Sequence, residues 1–461
     1  MEPCYVEKWL HDKVRQLSVD EPEFATIVGS RNPPRVGRAD IESFQLFKLK
    51  RMLRYVYQKD KFYGELFRRS EITPEDVRCL DDLVKLPFTE PASLREAPHK
   101  FYCISLAEIS REYVFDSSGT TGLPKKVACT KQDIERMVDF MSAGMRTVSA
   151  SGDVILILLP NGRPNSQADL LSKGVRLMGG VPVIGNLGAS PTEQVEAIER
   201  YHPQLIFTSP SRIHRITMGY QPRHRLKKTG VKTLFFTSEH LSQALKNKLQ
   251  DIWDCDVHAH YGMTEMGLGI SVECHAHDGF HFNEADLLLE IINPNTGKAI
   301  GDETEGELVF TTLSREGTPL IRYRTHDISR LLRHPCPCGA VTLKRIGSLV
   351  KKRESIVTIG NGDEIHPSFF DDVLYSLFEV VDYQLAISKQ AHKDCLKFTV
   401  EVSEEKSDLG NELKRRLLGA EVIEKNLLLG KLVEPEIELV GPGTLQRRTR
   451  AKKLIIDNRG T

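Results

Sequence analysis

The chain has 461 residues, enough for about two or three domains at roughly 150 residues each. Its 63 basic and 63 acidic residues cancel, so no global field recruits nucleic acid or an anionic membrane. The N-terminus, MEPCYVEKWLHDK, has no apolar h-region, and the longest aliphatic run, Val154–Leu159, is far short of the ~20 residues a membrane span needs. Nine cysteines are an odd number, and five of them (Cys4, Cys79, Cys103, Cys129, Cys395) are scattered like reduced thiols, so a cytoplasmic setting is expected.

Leu46, Leu49, Leu53 and Val56 recur at helical spacing and predict one amphipathic helix within residues 41–69. Asp116–Lys126, DSSGTTGLPKK, follows. It sets the hydroxyls of Ser117, Ser118, Thr120 and Thr121 around Gly119 and Gly122, then adds Lys125 and Lys126. Glycines permit close backbone approach, hydroxyls add donors and lysines add charge, so this is a loop suited to a polyphosphate. No Gly-Lys-Ser/Thr follows at the spacing of the commoner phosphate loop. A helix is predicted to start near Thr130, with Asp133 as its capping acid.

From Asp153 short apolar runs alternate with helical ones: DVILILLP, SQADLLSKGVRLM, VPVIG, TEQVEAIERYH and QLIFTSP, continued by VKTLFFTSEHL and DCDVHAHYG. That alternation predicts right-handed crossovers and a mostly parallel sheet covered on both faces, with ligands at the carboxyl ends of the strands. The loop Asn161–Gln167 follows one such end; Arg163 there is read as a solvated residue or as a partner for a second anionic group on a substrate. Beyond Gly347 the pattern changes to a charged, glycine-punctuated stretch, then SFFDDVLYSLF (helix), YQLAIS and LKFTVEV (strands), LGNELKRRLLG (helix) and EIELVG (strand). The reading is an α/β chain with a large domain over 1–347, mostly parallel sheets flanked by helices, and a small α+β domain over 348–461.

Asp116–Lys126, HYGMTEMG (His260–Gly267) and GELVFTTLSREGTPLIRYRTHD (Gly306–Asp327) occur in this order. Together they resemble the adenylate-forming, acyl-CoA synthetase-like ligases, and most closely the phenylacetate–CoA ligase branch. That branch is also suggested by LRYVYQKDKFYGELF, DDLVKLPFTEPASL and CPCG. The resemblance implies a carboxylic acid–CoA ligase acting on an aryl or related acid. It would use ATP (released as AMP), Mg²⁺ and coenzyme A, with a mobile C-terminal lid and a homodimeric assembly. Neither nucleic acid nor membrane is an expected partner. By the same resemblance Ser117, Ser118, Gly119, Thr120, Thr121, Gly122 and Lys125 cradle phosphates, and Tyr261, Gly262 and Met263 border adenine. Thr264 faces the α-phosphate, Glu265 holds Mg²⁺, and Ser238 and Glu239 border adenine and acyl group. Asp327 grips the ribose and Arg353 marks the hinge.

The chain also departs from the family. His326 precedes Asp327 where Gly or Arg is usual, and the hinge reads Lys352-Arg353-Glu354-Ser355-Ile356 without its two aspartates. The adenylation lysine is displaced by one position, to Lys452 or Lys453. Two other readings therefore stay open: an adenylate-forming ligase with an acceptor other than coenzyme A, and a non-catalytic nucleotide-binding paralogue. Cys274, His281, Cys336 and Cys338 offer three thiolates and one imidazole, a ligand set for structural zinc, with His275 and His277 as competitors. His258 and His260 line an acyl pocket or are satisfied core histidines.

Overall fold

The computed structural model describes residues 4–115, 124–348, 350–404, 406–445 and 455–459. These fall into two compact units. One comprises residues 1–153, 160–182 and 260–350, the other residues 154–159, 183–259 and 351–461.

The first unit opens with helices Tyr5–Asp20, Pro22–Ile27, Arg38–Lys59 and Lys61–Arg69. The single helix expected over 41–69 is thus two. Asp60 adopts extended backbone, and its carboxylate accepts the Tyr63 N–H at 2.9 Å, ending one helix and capping the next. The apolar period runs through this break, so spacing alone does not reveal it. Strands Arg111–Phe115 and Lys125–Cys129 pair antiparallel, with Phe115 opposite Lys125. Ser117, Ser118, Gly119, Thr120, Thr121 and Gly122 lie between them, outside the described residues. The expected capping box is present: Thr130 Oγ1 accepts the Asp133 N–H and Asp133 Oδ2 accepts the Thr130 N–H, both at 3.0 Å.

Residues 260–350 carry antiparallel structure that the alternating pattern upstream does not announce. Leu287–Ile292, Gly306–Thr312 and Tyr323–Ser329 form one sheet. Leu331–Leu332, Arg345–Ile346, Phe280–Phe282 and Ser271–Glu273 form another, in that spatial order.

In the second unit, Val154–Ile157, Leu205–Thr208, Thr233–Phe236 and Asp256–Ala259 run parallel side by side, with Val181–Ile184 joined at the first strand's free edge. Chain order and spatial order diverge at the first strand, which gives a doubly wound sheet its switch point. The long hairpin Val380–Gln390 and Lys393–Val402 is extended by parallel strands Glu436–Val440 and Ile455–Asp457 and covered by helices that include Pro367–Tyr375 and Leu409–Leu418. A continuous apolar core links the two sheets of this unit, from Leu156 and Phe236 through Trp253 to Tyr375, Phe398 and Leu417. Across it, His214 Nε2 lies 2.9 Å from the Val380 carbonyl, and Arg215 pairs with Asp382 and Glu401. No helix among the described residues is long and apolar enough to cross a membrane.

Candidate active site

Three residues distant in sequence converge in the first unit. Lys125, the first residue of its strand, places Nζ 2.5 Å from Glu265 Oε1, and both lie 3.0 Å from the Tyr323 hydroxyl. All three side chains are buried. Burial and the adjacent Glu265 carboxylate push the Tyr323 phenol well above its ordinary pKa, so it stays a neutral donor. Thr264–Met266 forms a single 3₁₀ turn that turns Glu265 inward, closed by Gly267 at φ +102°. Gly262 is required by packing. A Cβ there would stand 1.9 Å from the Leu268 carbonyl oxygen.

The Tyr261 hydroxyl donates to Asp327 Oδ2 at 2.6 Å. Burial, then Asp327 itself, keeps the Tyr261 phenol protonated. Asp327 is almost wholly buried, and its backbone N–H donates to Thr325 Oγ1. His326, the departure noted before Asp327, has φ +58°, the left-handed region in which glycine is at ease. His260 is half-buried, and burial lowers its pKa to about 4, so it is neutral near pH 7.

In the second unit Ser238 has φ +73°, a left-handed turn after the strand Thr233–Phe236. Beside it the Glu239 carboxylate accepts from Ser211 N–H (3.1 Å) and Ser211 Oγ (2.8 Å), tying this turn to the first turn of helix Pro210–Gly219. His258 is buried, with Nε2 2.8 Å from Asp256. Arg353 opens a 3₁₀ turn after strand Lys351–Lys352 and is exposed. In the first unit, Arg163 is also exposed. Lys452 and Lys453 lie outside the described residues.

The four metal-ligand candidates also meet. The donor atoms of Cys274, His281, Cys336 and Cys338 all lie within 4.8 Å of one another, and every residue is buried. Cys274 Sγ is 3.6 Å from Cys336 Sγ, and Cys338 Sγ is 3.6 Å from His281 Nε2. Tetrahedral zinc with ~2.3 Å sulfur and ~2.0 Å nitrogen bonds spaces its ligands about 3.5–3.8 Å apart. The donor set therefore fits. His275 is exposed and His277 pairs with Glu273 at 3.3 Å, so neither competitor joins the cluster. Glu7 grips the turn beyond Cys338, accepting the N–H groups of Val341 and Thr342.

Sequence reasoning missed Tyr323 and the arginines that hold its strand. Arg322 chelates Glu290 through Nε and Nη2 and stacks 4.0 Å above Phe88, while Arg324 binds Glu307 and Glu90. The only signal was the dense RYRTHD run ending at Asp327.

Residues 112–314 match the AMP-binding enzyme family, and residues 362–459 match the AMP-binding enzyme C-terminal domain. A phenylacetate-coenzyme A ligase of Aromatoleum evansii is 28% identical over 436 residues, 92% of this chain and 96% of that protein. Another from Thermus thermophilus is 29% identical over 407 residues, 86% of this chain and 88% of that protein. A crystal structure of 2-hydroxyisobutyryl-CoA ligase in the postadenylation state shares the fold. Its TM-score is 0.78 at 19% identity, covering 92% of this chain and 94% of that one. Both family matches place the chain among the AMP-binding enzymes, and over most of its length it is similar to phenylacetate-coenzyme A ligases.

Proposed function

We propose that this protein is an ATP- and Mg²⁺-dependent carboxylic acid–CoA ligase acting on an aryl or related acid. The observation that carries the reading is the convergence of Lys125, Glu265 and Tyr323 beside the strand that presents Asp327. In the first half-reaction a carboxylate oxygen of the acid attacks the α-phosphorus of ATP, and pyrophosphate leaves. In the second, the coenzyme A thiolate attacks the acyl carbon and AMP leaves.

Both substrates of the first step are anions, so the chain's task is to neutralise and align them. Ser117, Ser118, Gly119, Thr120, Thr121, Gly122 and Lys125 take the phosphates, and Thr264 faces the α-phosphate. Tyr261, with Gly262 and Met263, borders the adenine, and Asp327 accepts from the ribose hydroxyls, a role that suits a carboxylate able to accept two at once. Ser238 and Glu239 line the approach of the acid. Glu239 does so as a strut, because its carboxylate is held by Ser211.

Glu265 suits Mg²⁺, since its buried carboxylate already holds a cation, the Lys125 ammonium. When bound, the ion screens phosphate charge. Lys452 supplies the adenylation cation from the C-terminal domain over 348–461, and Arg353 marks its hinge. Cys274, His281, Cys336 and Cys338 hold a structural zinc that fastens the 331–346 turn to strands Ser271–Glu273 and Phe280–Phe282.

Pyrophosphate exchange measured across a panel of aryl and short-chain acids, followed by thioester formation with free coenzyme A, tests the proposal. Exchange without thioester would favour a different acceptor. No exchange with any acid, despite ATP binding, would leave a nucleotide-binding paralogue.

A further inference from the structure

Arg95 sits on the short helix Pro91–Glu96, which packs against strands Lys125–Cys129 and Tyr323–Ser329. These strands bring Lys125 and Tyr323 to the active site. The guanidinium is half-buried, and its Nε is shut off from solvent without a hydrogen-bond partner. Among the described residues Arg95 makes no hydrogen bond and no ion pair. Its positive charge nevertheless reaches the Tyr323 hydroxyl.

The acids nearby are committed elsewhere. Glu265 holds Lys125, Glu290 holds Arg322, Glu307 and Glu90 hold Arg324, and Asp327 accepts from Tyr261. Among the described residues this cation therefore has no counter-charge. Burying an unsatisfied donor weakens a fold, so packing gives no reason for an arginine here. A planar guanidinium fork is matched to phosphate oxygens, and the adjoining strand begins at the end of the proposed phosphate loop.

We propose that Arg95 is an anion-binding residue of this active site, its guanidinium taking oxygens of the polyphosphate that AMP lacks. The proposal rests on the ligase reading for the identity of the nucleotide, but its test does not need turnover. Binding of ATP, inorganic pyrophosphate and AMP is measured by calorimetry on the full-length protein, with no acid present. In Arg95→Ala, ATP and pyrophosphate should bind about tenfold to a hundredfold more weakly, the effect of losing one charge-assisted contact. AMP should stay within about twofold, and the salt dependence of ATP binding should become shallower. Arg95→Lys, which keeps the charge but not the fork, should fall between, and it serves if the alanine variant folds poorly.

Equal losses for ATP and AMP would overturn the assignment, because they mark a general structural defect. Unchanged ATP binding with a raised KM for the acid would also overturn it and transfer the guanidinium to the acid's carboxylate. If wild type supports exchange with no acid, the ligase reading fails, yet the comparison of ATP, pyrophosphate and AMP still decides Arg95.

Discussion

Lys125 Nζ lies 2.5 Å from Glu265 Oε1, so the proposed metal carboxylate and the first lysine of the phosphate segment already form an ion pair. Both side chains are below a tenth exposed. Removing one member of such a pair leaves the other buried and uncompensated, which typically costs about 3–5 kcal/mol.

Glu265→Gln should therefore have two effects. Metal-dependent pyrophosphate exchange should be lost, and the nucleotide-free protein should melt at a lower temperature because Lys125 loses its counter-ion. The double variant Lys125→Met, Glu265→Gln should recover much of the thermal midpoint without recovering exchange. A double variant that melts no higher than Glu265→Gln would show that the pair contributes little.

The zinc reading is checked by metal analysis. Freshly prepared, reduced protein should contain about one zinc per chain, and chelation should lower its thermal midpoint. Cys336→Ser should abolish metal content, whereas Cys395→Ser should not. Glu7 binds two N–H groups of the turn beyond Cys338. Its substitution by Ala should lower stability by about 1–3 kcal/mol while leaving zinc bound. Protein free of metal with an unaltered melting curve would remove the site.

A pH effect follows from Asp60. Burial raises its carboxyl from 3.8 to about 7, against the lowering effect of its bonds to the Tyr63 and Phe62 N–H groups. In this window the folded state binds a proton that the unfolded state has released, so stability falls as pH rises from about 4 to about 7. Asp60→Asn keeps an oxygen to cap Tyr63 and cannot ionise. It should flatten this part of the stability–pH profile and exceed wild type at pH 8 by roughly 1–3 kcal/mol, with little difference near pH 4. Parallel profiles for the two proteins would rule the effect out.

Asp133 was legible as a cap, but its larger task was not. Its carboxylate also accepts the N–H groups of Glu316 and Gly317, about 180 positions away. Gly317 lies so close to the strand of Ala128 that a Cβ would meet the Ala128 oxygen at 2.3 Å. Asp133→Ala should thus cost more than the ~1 kcal/mol of a lost cap, about 2–4 kcal/mol by denaturant titration. A loss of 1 kcal/mol or less would mean that the Glu316 and Gly317 contacts add little.

The same contrast runs through the molecule. Local signals in the sequence, such as the Thr130 box, the alternation from Asp153 and the order of the three motifs, carry over into the fold. What escapes is set by distance along the chain. The period through 41–69 hides Asp60, because a helix break needs one extended residue and not a change of pattern. Tyr323 looks like one more aromatic in a strand until its hydroxyl is seen between Lys125 and Glu265. Glu239 reads as a pocket acid, although Ser211 occupies its carboxylate.

Arg215 offers the final prediction. Its guanidinium binds Glu401 at 2.9 Å, Asp382 at 3.1 Å and the Leu445 carbonyl at 3.0 Å. Glu401 in turn accepts the N–H groups of Gly443 and Leu445, both at 3.0 Å. The pair thus anchors the chain just before the segment that contains Lys452. Loss of a preorganised cation at the adenylation step typically costs about 10²–10³ in rate, and Lys452→Ala should show that loss. Arg215→Ala retains the Lys452 side chain but frees residues 443–445, so acyl-adenylate formation should slow by a smaller factor, about tenfold. Thioester formation from presynthesised acyl-adenylate should be spared, since that half-reaction needs no such lysine. Asp382 and Glu401 are both almost fully buried, so the variant should also lose about 3–5 kcal/mol of stability. Arg215→Lys, which retains the charge, should regain most of that stability but less of the adenylation rate, because one ammonium cannot hold Glu401, Asp382 and Leu445 together. Equal slowing of both half-reactions would mean that Arg215 supports the fold in general and not the placement of Lys452.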